Sequence, residues 1–124
     1  MCHILLIEDD QDIRRATKLK LERDGYEVTD IPDGRKAVSI CRDANIDVVL
    51  TDVVMPDQEG IETIRMLRKM KPEVHIIAIS GGGRYASSEE YLDIAGTLGA
   101  DRTFQKPIDL DEVEHAIQEL VGSA

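Results

Sequence analysis

Short apolar runs that end abruptly in polar groups constrain the fold of this chain more than any other feature. Ile4-Leu5-Leu6-Ile7 runs into Glu8-Asp9-Asp10, and Val48-Val49-Leu50 reaches Asp52 before the breakers Pro56 and Gly60. Val74 to Ile79 ends at Ser80-Gly81-Gly82-Gly83, and the shorter Thr103-Phe104-Gln105 ends at Lys106-Pro107. Val48-Val49-Leu50 is β-favouring and too short for a buried helix, so a strand buried on both faces is predicted there. A weaker strand is predicted from Tyr26 to Ile31, with Tyr26, Val28 and Ile31 towards the core. A carboxylate delivered to the end of such a strand, as Asp52 is, can be a metal ligand, a nucleophile or a helix cap.

Between the runs lie segments with helical spacing. The first spans about Asp12 to Asp24, with Ile13, Ala16 and Leu19 expected inward, Leu21 less well placed, and Gly25 as the stop. Asp33-Gly34 turns the chain into a second helix carrying Ala37, Val38, Cys41 and Ala44. A third runs from Glu59 to Met70 with Ile61, Ile64 and Leu67 on one face. A fourth carries Tyr91, Ile94, Ala95 and Leu98 and closes at Gly99, and the last uses Leu110, Val113, Ile117, Leu120 and Val121. Five strands alternating with five helices predict one α/β domain over residues 1–124, with right-handed crossovers and a parallel sheet covered on both faces. In such sheets the functional site lies at the carboxyl ends of the strands. Those ends present Glu8, Asp9, Asp52, Ser80 and Lys106.

The formal net charge of −10 disfavours a nucleic-acid backbone as direct partner and favours divalent cations where carboxylates converge. Two cysteines, Cys2 and Cys41, without a disulfide framework suit a reducing cytoplasm. His3, His75 and His115 form no partner pattern, and no run approaches transmembrane length. Three converging carboxylates repel and raise one another's pKa unless a cation neutralises them. A hard ion such as Mg²⁺, needing oxygen ligands and keeping several waters, is the natural occupant. Such an ion together with Lys106 and the Ser80 hydroxyl would stabilise a phosphoryl group, leaving Asp52 as the attacking nucleophile.

At these residues the sequence resembles the receiver domain of two-component response regulators, and the resemblance covers the whole chain. It rests on Leu6-Ile7-Glu8-Asp9-Asp10, on Asp52 followed by Met55-Pro56 and Gly60, on Ser80-Gly81, and on Lys106-Pro107. Four motifs in order at four strand ends make it specific. The resemblance implies a doubly wound, flavodoxin-like sheet of order 2-1-3-4-5 and a Mg²⁺-dependent phosphoacceptor at Asp52. Asp9 and the Val54 carbonyl would bind the ion directly and Glu8 through water, with Asp10 the weaker candidate for the acidic pair. The Lys106–Pro107 bond is expected to be cis. Implied partners are a histidine kinase or histidine phosphotransfer protein and an unidentified output protein, with the chain a monomer or weak homodimer in the cytoplasm. Since the sequence stops after the last helix, the expectation is a stand-alone receiver that signals by changed partner binding or serves as a phosphorelay intermediate.

Three departures from the family pattern concern output. Thr103 occupies the place of an aromatic residue often found three before the lysine, and Phe104 should point to the other side of its strand. Ser80 replaces the usual threonine, and the segment between Ser80 and Lys106 is about four residues longer than common. Gly81-Gly82-Gly83 lacks the Lys-Ser/Thr of a nucleotide-binding loop. Two other classes compete with the receiver reading. A Mg²⁺-dependent phosphohydrolase would need a cap and a second acid–base carboxylate. A flavodoxin-like cofactor binder would have to tolerate acidic strand ends near a cofactor phosphate.

Overall fold

A computed structural model describes residues 2–53, 59–71, 73–80, 93, 96–97 and 99–122. Its elements follow in the order β1 (His3–Ile7), α1 (Gln11–Arg23), β2 (Glu27–Ile31), α2 (Ala37–Asp43), β3 (Val48–Asp52), α3 (Glu59–Met70), β4 (His75–Ser80), β5 (Arg102–Gln105) and α4 (Leu110–Val121). The five strands form one parallel sheet, as the sequence pattern predicts, in the order β2-β1-β3-β4-β5 that the resemblance implies. Four helices are bounded within the described residues, and Asp93, Gly96 and Thr97 are helical as well. The predicted helix carrying Tyr91, Ile94, Ala95 and Leu98 lies mostly outside them, as do Val54, Met55, Pro56 and Gly81 to Gly83.

The apolar runs read as continuous because both faces of the central strands are covered. Leu5, Ile7, Val49, Ile76 and Ala78 point to one side, where they meet Ala37 and Cys41 of α2 and Ile64 and Leu67 of α3. Ile4, Leu6, Val48, Leu50, Ile77 and Ile79 point to the other, against Leu21 of α1 and Val113, Ala116 and Ile117 of α4. Each fully buried aliphatic side chain of this kind contributes roughly 1.5–3 kcal/mol of transfer free energy. Edge strand β2 buries only Val28, so its sequence signal is weak.

The inward face of α1 differs from the expected one. Thr17 and Leu21 are buried, whereas Ile13 is 41% and Leu19 59% exposed and Ala16 lies outward. Steps of four residues advance about 40° around a helix and steps of three fall back about 60°, so 14-17-21 stays on one side whereas 13-16-19 drifts by about 120°. Thr17 hides this stripe in a hydropathy reading. On α4, Val121 is likewise 36% exposed, one position past the buried stripe.

The turn before α2 brings Gly34 against α3. A Cβ at Gly34 would lie 1.9 Å from Thr63 Oγ1, 3.0 Å from Thr63 Cβ and 3.2 Å from Thr63 Cγ2, so rotating the threonine exchanges one clash for another. Gly34→Ala should therefore lower stability by about 1–3 kcal/mol, a typical overpacking cost. Adding Thr63→Ala should recover most of it in chemical denaturation, and a Gly34→Ala chain as stable as wild type would refute the close approach.

Candidate functional site

Parallel order places the carboxyl ends of β1, β3, β4 and β5 side by side, with β3 central. Asp52 is the last residue of β3, and Glu8 directly follows β1. The next backbone N–H after Asp52, that of Val53, donates to Ile79 O at 2.9 Å, holding the end of β3 against β4. The Lys106 N–H donates to Ser80 O at 2.8 Å, which fixes the start of the lysine's loop against the end of β4. The Lys106–Pro107 peptide is cis, as the resemblance implies.

These backbone anchors bring the side chains together. One carboxylate oxygen from each of Glu8, Asp9 and Asp52 falls within 4.8 Å of the others. Lys106 Nζ donates to Asp52 Oδ2 at 2.6 Å and to Glu8 Oε1 at 3.1 Å. Glu8 and Asp52 are each 5% exposed, Ser80 is fully buried and Asp9 is exposed. Burial, a hydrogen bond with Asp9 and the charge of Asp52 together push the Glu8 carboxyl up to about 7, against the Asp10 N–H and Lys106. Burial works against the Lys106 ammonium, but its bond to Asp52 and the charges of Asp52 and Glu8 hold its pKa above the usual lysine value. Lys106 thus supplies one positive charge among three carboxylates, which softens the repulsion that the sequence implies without cancelling it.

The donor set is all oxygen and anionic, the chemistry a hard divalent cation requires. Glu8, Asp9 and Asp52 therefore fit Mg²⁺; the fourth predicted contributor, Val54, lies outside the described residues. Asp10 has a different task. Its Oδ1 accepts from Asp12 N (2.9 Å) and Ile13 N (3.0 Å), capping α1, while its own N–H donates to Glu8 Oε2 at 3.2 Å. An open cavity of about 500 Å³ leads from Glu8, Asp52 and Lys106 towards Ile13, Thr17 and Ile108.

On β5, Phe104 packs with the core face shared by α1 and α4, whereas Thr103 is exposed on the opposite side of the strand. Sequence reasoning passed over Arg14, whose Nη1 donates to the Glu8 carbonyl at 2.8 Å. The only signal for it was a basic residue four positions beyond the capping Asp10.

Known proteins share this fold. A sequence model of the response regulator receiver domain matches residues 4–118. The transcriptional regulatory protein CseB of Streptomyces coelicolor is 36% identical over 107 residues, covering 86% of this chain and 44% of CseB. The chain thus spans less than half the length of that relative. A receiver domain protein from Clostridium thermocellum is 28% identical with a TM-score of 0.85, covering 98% of this chain and 94% of that one. The response regulator TrrA of Thermotoga maritima, solved in complex with Mg²⁺ and BeF, is 28% identical with a TM-score of 0.82, covering 97% of this chain and 99% of TrrA.

Proposed function

Because the chain belongs to the response regulator receiver domain family, we propose that Asp52 accepts a phosphoryl group from a phosphohistidine on a histidine kinase or histidine phosphotransfer protein. The observation that carries this reading is the Lys106 ammonium lying 2.6 Å from Asp52 and 3.1 Å from Glu8, in a cluster that Asp9 completes. An Asp52 carboxylate oxygen attacks phosphorus, the phosphorus–nitrogen bond breaks, and the imidazole leaves with the electron pair and takes a proton. The product is an aspartyl phosphate. Lys106 binds a phosphoryl oxygen and spreads its charge, and the Ser80 hydroxyl donates to another. Mg²⁺ would be held by Asp9, Asp52 and the Val54 carbonyl, with Glu8 acting through water, and would supply further positive charge beside the transferred group.

Output follows as a change of affinity for a second protein, or as onward transfer of the phosphoryl group in a relay. The net charge of −10 argues that the receiver itself does not grip nucleic acid. The half-buried Cys2 and buried Cys41 are free thiols, in keeping with the reducing cytoplasm the reading carries with it. Incubation with acetyl phosphate and Mg²⁺, followed by intact mass measurement, tests the reading. One added phosphoryl group that persists for minutes supports it. Rapid turnover of many phosphoesters would favour a hydrolase, and no adduct at all would sink it.

A further inference from the structure

Pairing with β2 carries β1 as far as Ile7, and the Glu8 N–H still donates to Ile31 O at 3.1 Å. The Glu8 carbonyl lies beyond this ladder, at the start of the loop that presents Glu8 and Asp9. It is held by Arg14, whose Nη1 donates to it at 2.8 Å while Nε donates to Asp30 Oδ2 at 3.2 Å. Lys18 Nζ occupies the other oxygen, Asp30 Oδ1, at 3.0 Å. A planar guanidinium donates from two separate nitrogens held in a rigid fork, whereas an ammonium donates from a single point. Arg14 therefore joins three elements: the helix it stands on, the end of β1, and Asp30 on β2.

We infer that Arg14 is a positioning residue for metal binding: its hydrogen bond sets the Glu8–Asp9 peptide plane, so that both carboxylates face Asp52. The inference rests on the proposal that Glu8, Asp9 and Asp52 hold Mg²⁺. The loop is pinned from both sides, since the Asp10 N–H restrains the Glu8 side chain at 3.2 Å while Arg14 restrains the Glu8 main chain. Lys18 tests the simpler alternative, a staple between α1 and β2, because it pairs with Asp30 without reaching Glu8.

Arg14→Lys keeps a cation facing Asp30 and loses the bond to the carbonyl. Its metal-free melting should stay close to that of wild type, while calorimetric titration with Mg²⁺ should give a Kd raised about tenfold, as for outer partners of other metal sites. Lys18→Ala, which removes the second partner of Asp30, should leave the Mg²⁺ Kd unchanged. Equal Mg²⁺ affinity in wild type and Arg14→Lys, an equal loss in Lys18→Ala, or an Arg14→Lys chain that melts far below wild type would each overturn the inference. Wild type that binds no Mg²⁺ overturns the metal reading itself, and so is distinguished from failure of Arg14's role alone.

Discussion

Mg²⁺ at about one hundred times its Kd should stabilise the wild-type chain by about 2.7 kcal/mol, and Asp52→Asn should lose most of that gain. For a domain of this size the wild-type shift corresponds to a rise in Tm of roughly 5–15 °C. The proposed ion would bind only where folding has brought Glu8, Asp9 and Asp52 within reach of one another, so its binding energy would become folding energy. Without Mg²⁺ the order reverses. Three carboxylates share one ammonium in the wild type, and Asp52→Asn leaves two carboxylates for Lys106, which keeps its bond to Glu8. The metal-free variant should therefore melt above the metal-free wild type. Thermal melts of both chains with and without Mg²⁺ decide this, and equal Mg²⁺ shifts in the two would remove Asp52 from the site.

Raising the pH from about 4.5 to about 7 in the absence of divalent ions should weaken the wild-type fold relative to Glu8→Gln. The folded chain holds the Glu8 proton more tightly than the unfolded chain, because the carboxyl is pushed up to about 7 from an ordinary 4.5. Stability from this group is fully present below about 4.5 and is lost as the pH rises through about 7. Glu8 is 5% exposed, so the loss is on the order of 3 kcal/mol, at about 1.36 kcal/mol per pKa unit. Glutamine cannot ionise and escapes it. Among the described residues Asp24, Asp30 and Glu73 work in the opposite sense but below this window, while Glu114, also pushed up, works in the same sense as Glu8 in both proteins. The bond from Lys20 holds Asp24 under the usual range, and Lys18 and Arg14 hold Asp30 there against its burial. Denaturation of both proteins from pH 4 to 8 in chelator should show a gap that widens with pH, and a constant gap would place Glu8 in a solvated environment instead.

The elements that could be read from sequence are those whose physics is local or doubly buried. Ile4 to Ile7 and Val48 to Leu50 face helices on both sides, so no alternation obscures them, and Asp52 and Glu8 stand where those runs stop. The stripe of α1 could not be read in the same way. Thr17 presents a polar formula while packing inward, and Leu19 presents an apolar one while facing water. Glu114 shows the same limit on α4, where a buried carboxylate accepts from Lys20 Nζ at 3.1 Å across 94 positions of sequence. In the site, residue types at strand ends pointed to Asp52, Glu8, Asp9, Ser80 and Lys106. The bridge that Lys106 makes between Glu8 and Asp52 depends on the order of the strands in space. Arg14 left only a faint signal because its partner at the site is the Glu8 backbone carbonyl, a group every residue possesses.

The phosphoacceptor itself is tested most directly by chemical trapping. After reaction with acetyl phosphate and Mg²⁺, borohydride reduces an aspartyl phosphate to homoserine, and peptide mapping locates the altered residue. Homoserine at position 52, absent from Asp52→Asn treated in the same way, is the expected result. Homoserine at another aspartate, or a phosphoryl adduct that resists borohydride, would contradict the assignment of Asp52.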